Sequence, residues 1–317
     1  MREVINLKAV TINKNDAGQR IDKFLHKYFK SAMPTSLIYK NIRKKRIKVN
    51  GKRAEVDYML AEGDLLEMYI NDDFFEQKPK AVLEHITPDF DVVYEDDNVI
   101  FIDKKAGTVV HDDDNGSVNT LIAQLHVYLM QKNEYNPDDE NSFAPALCNR
   151  IDRNTSGIVI AAKNAQSLRE MNDIIKHRMV TKKYLALVVG KMEKKQDVLE
   201  GYLFKDSKQN KVYVSNKPQK GAQKAITAYK VIKQNVDTAL IEVELITGRT
   251  HQIRAHFASI NHPLVGDGKY GKLDKKACSR KYQALHAYKL EFLTGFEITN
   301  LSYLSTRVFT SDKADFI

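Results

Sequence analysis

Apolar residues first recur at Ile21, Phe24, Leu25 and Tyr28, the i, i+3, i+4, i+7 spacing of one helix face. Pro34 stops any continuation, and Thr35 or Ser36 is predicted to cap a second helix through Leu37, Ile38 and Ile42. Two short runs follow, Ile47-Lys48-Val49 and Lys52-Arg53, around Asn50-Gly51, which predicts a tight hairpin. From Asn71 to Asp89 the periodicity vanishes, and Pro79 and Pro88 mark a linker. Beyond Asp91 lie β-rich runs at Val92–Tyr94, Val99–Ile102, Gly157–Ala161 and Tyr184–Val189. Between them Asn164 is suited to cap a helix carrying Leu168, Met171 and Ile175 on one face. Strands and helices mixed without strict alternation predict an α+β fold with a mixed, mainly antiparallel sheet. The expected organisation is a small helix–helix–hairpin domain over 12–72, a linker over 73–89 and a larger domain over 90–310.

Composition narrows the class. At 317 residues and 43% hydrophobic, the chain can build a real core in each of two domains. It has no apolar run long enough to span a bilayer, and its first residues lack the pattern of a signal peptide. Cys148 and Cys278 stand far apart, which argues against a disulfide framework or a thiolate zinc site. A cytoplasmic, reducing location is expected, with no membrane association. No heptad pattern or obligate protein partner is evident, so a monomer is the default.

Charge adds a partner class. Of the net +9, residues 1–70 carry +7, with 15 Lys and Arg against 8 Asp and Glu. No acidic residue occurs from Lys40 to Arg53. Arg20, Lys40, Arg43, Lys44, Lys45, Arg46, Lys48, Lys52 and Arg53 are therefore the candidate contacts to a polyanion's phosphates. This stretch resembles the S4 RNA-binding domain, in Arg20-Ile21-Asp22-Lys23-Phe24-Leu25, in Ile42 to Gly51, and in Gly63-Asp64. The resemblance covers roughly residues 14–70 and implies a grip on structured RNA without chemistry of its own.

The segment Asn149-Arg150-Ile151-Asp152-Arg153-Asn154-Thr155-Ser156-Gly157 sets an aspartate between two arginines, in a polar loop entering an apolar strand. A neighbouring guanidinium favours the charged carboxylate, the form a nucleophile or base requires. Taken alone, a loop aspartate is more often part of a surface ion pair. The segment resembles the first signature of the RluA-type pseudouridine synthases, with Asn149 in place of the usual His and Ile151 in place of Leu. Two further signatures follow in order. Thr181-Lys182-Lys183-Tyr184 is similar to the second, and Gly248-Arg249-Thr250-His251-Gln252-Ile253-Arg254-Ala255-His256 with His262 to Asp267 is similar to the third. Asp103 to Gly107 and Leu285-His286-Ala287 agree more weakly. Together the similarity runs over about residues 14–295.

The resemblance implies that Asp152 is catalytic and that Tyr184 contacts the extruded base, a ring suited to stacking. It implies that Arg249 pairs with Asp152, with Arg150, Gln252 and Arg254 supporting the cleft. The expected substrate is large-subunit (23S-type) ribosomal RNA, with transfer RNA as the alternative target. The isomerisation transfers no group to a second molecule and oxidises nothing, so no cofactor is expected. His251 and His256 are five apart, poorly spaced for a shared metal on a helix, and no metal site is expected. Two rivals differ in class. A non-catalytic S4-domain RNA-binding or ribosome-assembly protein would bind RNA without changing its nucleosides. A glycosidase or nuclease would need a second carboxylate, for which Asp112, Asp113 and Asp114 are the nearest candidates, more naturally read as a surface loop.

Overall fold

The computed structural model describes residues 5–30, 32–75, 85–111, 118–206, 209, 211–271, 280–296 and 299–317. The centre of the expected linker, the run Asp112 to Asp114 and Cys278 lie outside the described residues. Contacts divide the chain into two units. The first comprises residues 1–88, 125–145 and 163–166, and the second 89–124, 146–162 and 167–317.

In the first unit, β1 (Ile5–Thr11) is followed by α1 (Ile21–Phe29), α2 (Thr35–Arg43), β2 (Ile47–Val49), β3 (Lys52–Arg53) and β4 (Leu65–Asn71). The strands form an antiparallel sheet in the order β1-β4-β2-β3. The predicted helix faces are the buried ones. Ile21, Phe24, Leu25, Ile38 and Ile42 pack with Ile47, Leu66 and Met68 of the sheet, each fully buried side chain contributing roughly 1.5–3 kcal/mol. Asn50 and Gly51 have φ of 51° and 75°, the pair of positive values that a two-residue hairpin turn needs. The predicted cap is corrected: Pro34 is the N-cap residue of α2, no side chain caps it, and Thr35 already lies in the helix.

This unit recruits chain from far downstream, which the expected boundaries did not include. Asp16, fully buried, accepts from Asn141 Nδ2 at 2.7 Å and Ser142 Oγ at 2.6 Å. Glu140 accepts from Asn13 and Asn15, and Asn15 in turn accepts the backbone N–H of Ala165 at 3.1 Å. A buried carboxylate is tolerated only when its lone pairs are filled, so these bonds tie residues 13–19 to 139–142.

The second unit is built on one sheet. Its strands are β5 (Asp91–Glu95), β6 (Val99–Lys104), β7 (Ala146–Leu147), β8 (Ser156–Ala162), β9 (Val180–Val189), β10 (Gln196–Asp206), β11 (Lys211–Ser215), β12 (Gln223–Gln234), β13 (Thr238–Leu245), β14 (Leu285–Phe292) and β15 (Val308–Thr310). The order is β11-β10-β12-β13-β9-β14-β8-β6-β5, with β7 on β8 and β15 on β14. Among the described residues only the β14–β8 pair is parallel, so the sheet is mixed and mainly antiparallel as expected. Among the described residues, α4 (Ala165–Lys176) and α5 (Gln252–Ser259) accompany these strands, while α3 (Leu121–Gln131) lies for most of its length in the first unit. Alternate residues Val99, Phe101, Ile158 and Ile160 form one face of the central strands and pack on Met171 and Ile174 of α4. With both faces covered, β6 and β8 are buried almost throughout, which is why they read as unbroken apolar runs.

Candidate active site

The loop between β7 and β8 carries Asp152 and is fixed at both ends. On entry, Asn149 Oδ1 accepts the Ile160 N–H at 2.7 Å, so the asparagine that departs from the usual signature closes the β7–β8 turn. On exit, the Thr155 N–H reaches the Asp152 carbonyl at 3.0 Å, and Gln283 Nε2 donates to Thr155 Oγ1 at 3.1 Å. Gly157 follows at φ +110°, where a Cβ would sit 2.3 Å from the Ala287 carbonyl oxygen. Only glycine lets β8 approach β14 closely enough for their parallel pairing.

The tip of the loop is pinned from the side by β6. Lys104, with no exposed surface, donates its three ammonium hydrogens to the carbonyls of Lys105, Thr108 and Arg153, at 2.9–3.0 Å. Gly107 N–H donates to the Arg153 carbonyl, and Arg153 Nε returns a bond to the Gly107 carbonyl at 3.1 Å. Burial pushes the Lys104 ammonium down to about 7, against the pull of the Asp152 and Asp103 carboxylates. In the sequence Lys104 belongs only to a weak agreement; its three hydrogen bonds to backbone carbonyls are a tertiary fact that no local pattern announces.

The partner of Asp152 is Arg254, whose Nη1 lies 2.8 Å from Oδ2. The expected pair with Arg249 does not form. Arg249 precedes α5, is exposed, and gives Nε to the Lys224 carbonyl at 3.4 Å. Arg254 is the third residue of α5 and is itself held at its other edge by a two-bond fork to Asp267, at 2.7 and 2.9 Å. Burial works against both charges of that fork. Mutual attraction outweighs it, holding the Asp267 carboxyl below the usual range and the Arg254 guanidinium above its own. Just before α5, His251 adopts a left-handed φ of +53°, which costs a non-glycine residue on the order of 1–2 kcal/mol. It turns Nε2 to 3.9 Å from Asp152 Oδ2. His251 and Asp267 stand in the third signature without a role assigned there, and Tyr270, three residues beyond Asp267, lies outside it. The signal that could have singled them out is a run of hydrogen-bonding residues beside the one arginine that meets the carboxylate.

These groups open into a cleft of about 610 Å³ lined by Asp152, Tyr184, Lys182, Arg150, Arg249 and Arg254 among others. Tyr184 is buried in β9, and burial together with the Asp152 charge pushes its phenol up, so the ring meets the cleft neutral. Gln252 also reaches the cleft wall, but its amide is spent on structure. It accepts from Thr247 Oγ1 and the Arg249 N–H, and donates to the Ile226 carbonyl and Thr227 Oγ1. Arg150 is exposed at the rim. Lys182, which also lines the cleft, was not predicted as a site residue; burial pushes its ammonium down.

In the first unit, Lys40, Arg43, Lys44, Lys45, Lys52 and Arg53 are exposed, as a cationic surface requires. Arg46 and Lys48 are half-buried, and Lys48 lies over the Tyr69 ring at 5.2 Å. Arg20 differs from the rest. It forks onto buried Asp22 at 3.1 Å through two nitrogens, with Tyr39 donating to the same carboxylate.

Among known proteins, the family model described as RNA pseudouridylate synthase matches residues 98–259. The chain is 34% identical to the ribosomal large subunit pseudouridine synthase C of Vibrio vulnificus over 274 residues, 84% of this chain and 80% of that one. It is 32% identical to the protein of the same name from Salmonella typhi, over 92% of this chain and 90% of that one. Among solved structures, human RNA pseudouridylate synthase domain containing 4 shares the fold at a TM-score of 0.54 and 21% identity, covering 69% of this chain and 87% of that one. The matched span contains the Asp152 loop, Tyr184 and the Arg254 helix, and the chain belongs to the RNA pseudouridine synthase family, isomerases that convert uridine within RNA to its carbon-linked isomer.

Proposed function

We propose that Asp152 is the catalytic carboxylate, that Tyr184 packs on the target base, and that the substrate is large-subunit ribosomal RNA. The observation that carries this reading is the Asp152–Arg254 contact at 2.8 Å, inside a cleft walled by Tyr184. The reaction breaks the C1′–N1 bond of uridine, turns the uracil, joins C1′ to C5, and moves the C5 proton to solvent or to N1. A carboxylate that accepts a hydrogen bond from one guanidinium serves either route to the first step, attack at C1′ or removal of the C2′ proton. Atoms balance within the nucleoside, so the chemistry calls for no cofactor. Bringing the uridine out of its stack costs a few kcal/mol, which stacking on Tyr184 and contacts to Lys182, Arg150 and Arg249 offset.

Ribosomal RNA as substrate is supported by the names of the relatives in Vibrio vulnificus and Salmonella typhi. Within this reading the first unit is an S4-like domain, and its exposed cations from Lys40 to Arg53 hold RNA by phosphate contacts. The compartment that follows is the cytoplasm, where ribosomal RNA is bound into subunits. Among the described residues no helix is long and apolar enough to cross a membrane.

The test incubates the protein, and separately Asp152→Asn, with unmodified ribosomal and transfer RNA, then maps pseudouridine by carbodiimide labelling and primer extension. Discrete stops in large-subunit RNA with the unaltered protein alone are expected. Stops confined to transfer RNA would overturn the substrate, and equal stops from both proteins would overturn the role of Asp152.

A further inference from the structure

Behind the residues that touch Asp152, a hydrogen-bonded chain runs out of the sheet and ends beside it. Val212 of β11 donates its backbone N–H to Tyr270 Oη at 2.9 Å. The same oxygen lies 2.9 Å from His251 Nδ1. The opposite nitrogen of that ring, Nε2, faces Asp152 Oδ2 at 3.9 Å. A phenol oxygen that already accepts an N–H has its own proton left to place, and Nδ1 is the acceptor beside it. The imidazole then carries its proton on Nε2, the side turned to the carboxylate.

We propose that Tyr270 fixes His251 as the Nε2–H tautomer and that His251, so fixed, is a positioning residue for the Asp152 carboxylate, an inference that rests on Asp152 being the catalytic group. Three features of the geometry support it. His251 takes a left-handed backbone conformation at the start of α5, the posture that carries its ring between Tyr270 and Asp152. Tyr270 stands edge-on to the His251 ring at 5.6 Å and also lies under the Arg254 guanidinium at 5.1 Å, so one side chain steadies both neighbours of the carboxylate. Tyr270 is itself held by its backbone N–H on Asp267 Oδ1 at 3.1 Å.

The charged groups around the imidazole are Asp152, Arg254, Lys269 and Asp267; burial and the two cations keep the ring neutral against the two carboxylates. An uncharged N–H can orient a carboxylate without neutralising it. At 3.9 Å the contact is outside hydrogen-bond range, and a closure of about 1 Å on RNA binding would complete it. No proton leaves the ring, so the device consumes nothing.

The experiment uses the full chain, ¹⁵N-labelled in histidine, with the His251 signals assigned by their absence in His251→Asn. Asparagine tolerates the left-handed conformation, so that variant keeps the backbone while removing the ring. The expected spectrum shows Nδ1 unprotonated and Nε2 protonated, and Tyr270→Phe erases that preference. In single-turnover assays Tyr270→Phe and His251→Asn should each lower kcat by about tenfold with KM within twofold. The double variant should be no worse than the worse single one, because the two act as a unit. Thermal melts of both variants separate this from misfolding. A ring protonated on Nδ1 in the unaltered protein, or Tyr270→Phe with unchanged kcat, overturns the proposal. Asp152→Asn run alongside at the unaltered rate would instead overturn the reading beneath it.

Discussion

Arg254 spans two carboxylates: Nη1 lies 2.8 Å from Asp152, while Nε and Nη2 close a fork on Asp267 at 2.7 and 2.9 Å. One edge of the guanidinium is anchored, and the other presents a single N–H to the loop tip. Lysine cannot reproduce that division, since its ammonium is a point charge without a planar fork. Arg254→Lys is therefore expected to lower the single-turnover rate by roughly 100-fold while RNA affinity changes little. Quench-flow rates with filter-binding on the same RNA check this. Arg254→Met should do worse, because it leaves the buried Asp267 carboxylate without its cation, at a cost of about 3–5 kcal/mol.

Gly157→Ala tests the contact between β8 and β14. The added methyl would lie 2.3 Å from the Ala287 carbonyl oxygen, at a φ of +110° that a side chain resists. The strands must separate, and the loop carrying Asp152 moves with them. A fall in melting temperature of several degrees, with activity lost more steeply than stability, is the expected outcome by calorimetry and assay.

The cations of the first unit divide by their bonding. Lys44 and Lys45 are exposed at the end of α2, so the double change to glutamine should weaken RNA binding, leave the melt unchanged, and lower the salt slope by about one per lost phosphate contact. Arg20→Gln should act on the fold instead, since it strips the fork from buried Asp22. Binding isotherms across a salt series, paired with thermal melts, separate the two classes.

His256 supplies a pH dependence. It is buried on α5, its Nδ1 lies 2.8 Å from Thr227 Oγ1, and burial pushes it from 6.5 down to about 4. Between those values the unfolded chain binds a proton that the folded chain refuses. Stability is therefore full above pH 6.5 and falls as pH drops towards 4, by at most about 1.4 kcal/mol per unit from this group. His256→Phe should flatten the denaturant midpoint over that window, which urea titrations at several pH values would read.

What could be read in the chain, and what could not, follows from where each signal resides. The α1 and α2 faces were legible because Ile21, Phe24, Leu25, Ile38 and Ile42 meet one core at helical spacing. Strands β6 and β8 were legible as apolar runs because both their faces are covered. Strands β10 to β13 were not singled out. β10 and β12 carry lysine, glutamine and glutamate at mostly exposed positions, and several of the residues between them are only half-buried. At the site, Asp152 and Tyr184 stood out by resemblance, while the partner of Asp152 was assigned to Arg249. That choice turns on where α5 begins and which way His251 bends, both of which are settled by contacts with β11, β12 and the turn at Asp267.

The bonds from Asp16 to Asn141 and Ser142 set an order on synthesis. An amino-terminal module that closes on itself can fold as it leaves the ribosome. This one still lacks the partners of a buried carboxylate until some 125 residues more have been made. At translation speeds of about 5–20 residues per second, the interval is on the order of 6–25 seconds. Through that time the nascent segment bears exposed cations beside the ribosome's own RNA. The same bonds make the unit a poor candidate for transfer between genes as a cassette, because a graft of residues 1–70 leaves half of its polar seam behind.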